Sequence, residues 1–321
     1  MFEAFLKQHD EVAWMRAVES LLSDTHEVDR TATRIWFHFF PLALADAIAE
    51  IPDRAQLELA LRLNGAYRLA DQVDTSHVFL YGHRYWPQVK AAILKRTESA
   101  GAPASLDLAA VIRETAASAG GDPSLLLGIT AIGLMTLQQV GLSAFRSSPG
   151  SIRPSANLLA KSPAQIVDAR QRNDSQGIAG LWRGIRSQYT VTYDEGRRDA
   201  RFRVINQQHI TTASAEAGDP ASPGPRTCMA GPIPVECRTA SCGTCWVGVL
   251  AGSERLSDVE PMEAKRMKEF GYINTADPKP LIRLACAAMA GGNVSLVIPP
   301  WNGFLGVRRG FREAFTSPQK R

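Results

Sequence analysis

The spacing Cys237-x4-Cys242-x2-Cys245, followed after forty further residues by Cys286, is the arrangement in this sequence with the clearest chemical meaning. Three thiolates from one short loop and a fourth from far along the chain suit a flat rhomb of two irons and two sulfides, a [2Fe–2S] cluster. Such a loop must wrap its cluster closely. The small residues Thr239, Ala240, Ser241, Gly243 and Thr244 let backbone N–H groups approach the sulfurs, where hydrogen bonds stabilise the more negative, reduced state. The alternative is a structural zinc site, which usually takes two CxxC knuckles. Here there is one, Cys242-x2-Cys245, and Cys286 stands alone. A fifth cysteine, Cys228, is either a plain loop residue or a spare thiol beside the site. An odd number of cysteines, clustered in this way, argues for metal over a disulfide framework.

The elements that would position these residues fall into two halves. Residues 1 to about 187 carry apolar side chains at helical spacing, as in Phe5, Leu6, Val12, Met15, Val18, Leu21 and Leu22, and again from Ile35 to Ile48. Asp53 and Ser105 are candidate N-caps, Pro123 suits the first turn of a helix behind Asp122, and Pro41 should interrupt its helix. Gly101 and Gly120-Gly121 read as connections between helices. From Pro123 to Phe145 there is no charged residue, so this stretch is either the central helix of a bundle or a membrane-associated one; Gln138 and Gln139 favour the bundle. After a Ser-, Pro- and Arg-rich connector, the period changes at Tyr189. QYTVTYDEG and RRDARFRVIN alternate like the two strands of a hairpin, with Asp194-Glu195-Gly196 as the turn. A Pro/Gly-rich loop then leads to the cysteines.

Beyond the cysteines, the segment ECRTASCGTCWVGVLAG resembles the cluster loop of the plant-type [2Fe–2S] ferredoxin family running into its third strand. LSDVEPMEAKRMKEFG followed by RLACAAM is similar to the stretch before the fourth ligand in the adrenodoxin-like branch, and NVSLVIPP to the closing strand. The resemblance covers roughly residues 188–300. It implies a β-grasp fold and a one-electron carrier in which Cys237, Cys242, Cys245 and Cys286 ligate the cluster. The expected architecture is α+β and multidomain: an all-α helical bundle over residues 1–187, serving docking or oligomerisation, a ferredoxin-like domain over 188–300 and a basic tail over 301–321.

Other signals in the helical half weigh less. Asp71, Asp74 and His77 share one face if helical, a candidate metal site or simply a solvated, salt-bridged helix end. His26 and His38 are candidate haem ligands or ordinary packed histidines, and the aromatic runs Trp36 to Phe40 and Phe79 to Trp86 suit a core or a partner face. No dinucleotide fingerprint, P-loop, GxSxG, HExxH or Glu-x-x-His occurs, which disfavours a fused flavin or nicotinamide reductase and a di-iron bundle. The tail holds the whole formal excess of +4 in Arg308, Arg309, Arg312, Lys320 and Arg321 against Glu313, without the aromatic interleaving of a nucleic-acid site. The first residues, MFEAFLKQHDEVAW, lack a signal-peptide core, so the expected location is cytoplasmic, with peripheral membrane contact as the alternative. The leading expectation is a non-catalytic electron-transfer subunit of a larger oxidoreductase, for example a hydrogenase, with a redox protein or a second copy of the chain as partner. The rivals are an enzyme with a second metal or haem in the bundle, and a cluster-based redox sensor.

Overall fold

The computed structural model describes residues 1–42, 68–98, 107–152, 155–173, 187–217, 231–235, 237–269 and 277–299. These separate into a helical unit of residues 1–42 and 68–167, and a second unit of residues 168–299 that contains a mixed sheet. The expected boundary near residue 187 falls later in the chain than this division. The second half of the Ile35–Ile48 stretch, Asp53, Gly101, Ser105, Cys228 and the basic tail lie outside the described residues.

The helical unit contains α1 (Phe2–Leu6), α2 (Glu11–Leu21), α3 (Glu27–Phe39), α4 (Trp86–Glu98), α5 (Leu108–Ala119), α6 (Pro123–Ser147) and α7 (Ala156–Leu159); α8 (Pro163–Gln171) includes the point of division. Local chemistry sets the ends. Asp10 caps α2 by accepting from the Ala13 N–H at 2.8 Å. The α3 helix stops before Phe40, because a residue preceding proline is disfavoured in the helical region. Gly120 and Gly121 turn the chain with φ of 78° and 104°, and Asp122 caps α6 by accepting from the Ser124 N–H at 2.9 Å. Every residue of α6 from Leu125 to Leu137 is buried, and α1 to α5 all pack against it. Among the described residues it is the one helix long and apolar enough to cross a bilayer, and 72% of its most apolar window is enclosed by the rest of the protein. An all-round apolar helix at the centre of a bundle needs that composition. A Cβ at Gly133 would lie 2.6 Å from Ile93 Cδ1 and 2.9 Å from Trp86 Cζ3, so only glycine lets α4 approach so closely. At Gly141, with φ 77°, α6 breaks, and Glu3 Oε1 accepts from the freed Leu142 N–H at 2.8 Å.

In the second unit, β1 (Gln188–Thr192) and β2 (Arg201–Ile205) form an antiparallel hairpin. The turn lies where Asp194 Oδ1 accepts from the Gly196 N–H at 2.8 Å. Exposed Arg201 and Arg203 alternate with buried Phe202 and Val204, the half-buried pattern read from the sequence. The β3 strand (Gln208–His209) precedes helix α9 (Ile210–Ala217), which packs on β2. Then come β4 (Trp246–Ala251), helix α10 (Pro261–Glu269), β5 (Ile282–Leu284), β6 (Met289–Ala290) and β7 (Val294–Val297). The five-stranded sheet runs β2-β1-β7-β4-β5, with β1 and β7 parallel and every other pair antiparallel, while β3 and β6 form a separate ribbon. The segment before β1 is tied to this unit. Arg170 pairs with Glu195 at 2.9 Å, and Arg255 donates to the carbonyls of Gln171 and Arg172 at 2.6 and 3.1 Å.

The stretch around Asp74 is no solvated helix end. After a short 3-10 turn at Leu69–Gln72, Asp71 is exposed but Asp74 and His77 are buried. Asp74 Oδ1 accepts from Trp86 Nε1 at 2.7 Å and from Ser148 Oγ at 3.1 Å, Oδ2 accepts from the Gly150 N–H at 2.8 Å, and Lys90 Nζ lies 3.5 Å from Oδ1. Lys90 also donates to the Ser148 carbonyl at 2.6 Å. Burial pushes the lysine down from its ordinary value, and the Asp74 charge opposes that shift. Beside this node, His77 Nε2 lies 3.0 Å from the Val73 carbonyl and His77 Nδ1 lies 2.8 Å from His83 Nδ1. A carbonyl only accepts, so His77 carries its proton on Nε2 and offers Nδ1 to the N–H of His83. Both rings are thus neutral. Burial, reinforced by the neighbouring His83, holds His77 well below 6.5, while burial holds His83 down to about 4 against the opposing charge of Asp74. A histidine with a depressed native value contributes stability that is complete above its unfolded value and is lost as pH falls. The stability of the helical unit should therefore decline from about pH 6.5 towards pH 4. Urea midpoints followed by tryptophan fluorescence across that range should show this slope, and the double variant His77→Gln/His83→Gln should reduce it, leaving the share of buried His38.

Candidate metal centre

Two pieces of chain far apart in sequence meet at one end of the sheet. Cys245 immediately precedes β4 and Cys286 follows β5 by two residues. The two strands pair antiparallel with Trp246 opposite Leu284, so the end of one lies against the start of the other. The Ala285 N–H donates to the Cys245 carbonyl at 3.0 Å, extending the ladder to the site. Cys237 and Cys242 come from the loop before β4. Arg238, Ala240 and Gly243 there have φ of 55°, 55° and 70°. Left-handed conformations cost on the order of 1 kcal/mol or more at non-glycine residues and are kept where the surroundings over-determine them. What they achieve is visible at Cys237 Sγ. It accepts from the backbone N–H groups of Thr239, Ser241 and Cys242 at 3.5, 3.3 and 3.3 Å.

The Cys242 N–H donates to Cys237 Sγ, and these two cysteines are half-buried; Cys245 and Cys286, brought together by the β4–β5 ladder, are buried. Among the described residues, no group of three or more His, Cys, Asp or Glu is placed to grip a single metal ion. A two-iron rhomb takes two thiolates per iron, which the paired arrangement fits. Burial acts to raise the Cys237 thiol, but hydrogen bonds from Ser241, Thr239 and Cys242 outweigh it and hold the thiol down to about 6. Burial pushes Cys242 up, against a hydrogen bond from Thr244. In the inner pair, the bond between the two thiols holds Cys286 down and pushes Cys245 up, with burial adding to that rise.

Residues 209–291 match the family model of the 2Fe-2S iron-sulfur cluster binding domain. This segment binds a [2Fe–2S] cluster. Cys237, Cys242, Cys245 and Cys286 lie inside the matched stretch of the 2Fe-2S domain, whereas the β1–β2 hairpin and the helical unit lie outside it. No curated protein and no solved structure matches the chain. In the helical unit, His26 Nδ1 accepts from the Val28 N–H at 3.2 Å, capping α3, and burial, with Arg34 nearby, holds His38 down to about 4. Trp36, Phe37, Phe39 and Phe40 are core residues.

Two features of the 2Fe-2S domain escaped the sequence reading. The Thr244 hydroxyl donates to Cys242 Sγ at 3.0 Å, whereas the sequence singled out this residue only for its small size. The other is an ion pair with no solvent exposure on either side chain. Arg283 Nε and one terminal nitrogen lie 2.8 and 2.9 Å from the two Glu263 oxygens. Arg283 also donates to the Ser257 carbonyl, and Glu263 accepts from the Leu284 N–H, each at 2.8 Å. The pair fastens α10 to β5 three residues before Cys286. The signal was an arginine in an otherwise apolar strand, Ile282-Arg283-Leu284, which must find a charge partner if buried. Glu263→Ala would leave the guanidinium enclosed and uncompensated, at a cost of about 3–5 kcal/mol. Urea unfolding of the cluster-loaded protein should show that loss, and a Glu263→Leu/Arg283→Met double variant should recover most of it.

Proposed function

We propose that this chain is a one-electron carrier whose [2Fe–2S] cluster is held by Cys237, Cys242, Cys245 and Cys286, and that it relays electrons to or from a larger oxidoreductase, a hydrogenase being one suitable host. The observation that carries the reading is the β4–β5 pairing, which brings the loop of Cys237, Cys242 and Cys245 and the distant Cys286 to one end of the sheet. When bound, the cluster supplies reversible one-electron chemistry. The residues around it do the rest. Cys245 and Cys286 anchor the buried side, 1% and 5% exposed, while Cys237 and Cys242 sit towards solvent, where a redox partner would approach. Loop N–H groups aimed at Cys237 favour the added negative charge of the reduced state. The sheet order β2-β1-β7-β4-β5, with first and last strands parallel, supports a β-grasp fold for the second unit.

The helical unit is more than a cluster-binding domain requires, and attachment to a partner or self-association is the added task this reading assigns to it. A two-iron cluster takes four thiolates, so Cys286→Ser, made together with Cys228→Ser, should abolish the visible absorption of the two-iron centre. The wild-type protein, purified without oxygen, should contain about two irons and two acid-labile sulfides per chain. A colourless protein holding stoichiometric zinc would refute the carrier reading. Co-purification from the native host tests the relay: a stable redox partner is the expected result.

A further inference from the structure

The β1–β2 hairpin precedes the segment matched by the 2Fe-2S family model and holds none of the cysteines, yet its charge is one-sided. Alternation along β2 buries Phe202 and Val204 on the side of α9 and leaves Arg201 and Arg203 exposed on the other face, about 7 Å apart. Arg198, just before the strand, is exposed as well. Across the ladder, Arg201 stands opposite Thr192 and Arg203 opposite Thr190, whose hydroxyl accepts from it at 3.1 Å. The face thus sets guanidinium groups beside neutral hydroxyls. The neighbouring acids are already engaged: Asp199 pairs with Arg197 at 2.8 Å, Glu195 pairs with Arg170 at 2.9 Å, and Asp194 caps the turn. Among the described residues, no carboxylate answers Arg198, Arg201 or Arg203.

We propose that this face is a docking surface for a carboxylate-rich patch of a partner protein. An edge strand carries charge to discourage pairing with other edges, and lysine is the usual choice for that. Arginine adds a planar fork that matches a carboxylate bidentately. The exposed groups also choose among polyanions. A nucleic-acid face would set aromatic rings beside its cations. Here Tyr193 stacks on Phe202 at 6.1 Å, and Tyr189 pairs with Val204 on the face opposite the arginines. A membrane face would add exposed apolar side chains, and none of the large ones exposed among the described residues belongs to the hairpin. The inference rests on the carrier reading above for its purpose alone. Sheet order puts β2 and β5 at opposite edges, about 19 Å apart, so one protein can hold the chain at β2 while another exchanges electrons at the cysteine end.

The test is binding of the full-length chain, as purified, to immobilised poly-L-glutamate, to duplex DNA and to vesicles of anionic lipid across a salt series. The wild type is set beside Arg201→Gln/Arg203→Gln and beside a control with the same loss of charge at exposed positions of the helical unit, Lys7→Gln/Arg16→Gln. Circular dichroism verifies that each is folded. At low salt the hairpin variant should bind poly-L-glutamate about tenfold more weakly, as expected for two lost surface ion pairs, and the gap should close as salt screens the charges. Its losses for DNA and vesicles should be smaller, and the control should match the wild type. A hairpin variant that binds poly-L-glutamate like the wild type, a control that loses as much, or an equal or larger loss for DNA or vesicles would each overturn the proposal. None of these readings involves the cluster, whereas a wild type without a two-iron spectrum would overturn the carrier reading and leave the binding comparison standing.

Discussion

The antiparallel pairing of β4 with β5 is the contact on which the metal centre depends. Forty residues separate Cys245 from Cys286, and closing a loop of that length costs on the order of 3 kcal/mol in chain entropy. No local preference of the cysteines themselves repays this. The ladder does, with Trp246 opposite Leu284 and both side chains fully enclosed, and the Ala285 to Cys245 bond carries it one step further. The Glu263–Arg283 pair then holds α10 against the same strand. Chemistry at the sulfurs is thus borne by apolar packing and one enclosed charge pair a few residues away.

The two units handle buried polar groups in contrasting ways. In the helical unit, Asp74 gathers donors from Trp86, Ser148, Gly150 and Lys90, and the adjoining histidines satisfy each other as neutral rings. That network joins the turns after the 3-10 segment to α4 and to the chain after α6. In the sheet unit, a single bidentate pair fastens one helix to one strand. Both solutions trade desolvation for a defined register, and both leave the structure sensitive to loss of one partner.

What was legible in the sequence was what local rules govern. The cysteine spacing, the Asp194 turn, the α6 start at Asp122-Pro123 and the stop before Pro41 each depend on neighbours within a few positions. The all-apolar run after Pro123 read as a core helix with a membrane-associated one as the alternative, and what supports the core is α1 to α5 surrounding it, which no window of sequence contains. His77 with His83, Lys90 with Asp74, and Glu263 with Arg283 were invisible for a related reason. A charged or titratable residue looks the same on paper whether it faces water or a partner brought close by the fold. Asp74 was the clearest case, since its spacing with Asp71 and His77 suggested a shared helical face that the turns after Gln72 do not build. Thr244 was noticed for the wrong property, its bulk rather than its hydroxyl.

The unequal shelter of the two thiol pairs has one more implication. Oxygen, peroxide or a chelator arriving from solvent meets the Cys237 and Cys242 side before it meets the enclosed Cys245 and Cys286 side. Of the four residues that would hold the cluster, Cys237 and Cys242 in the strand-free loop are the ones such a reagent would reach first, while Cys245 and Cys286 stay gripped beside β4 and β5.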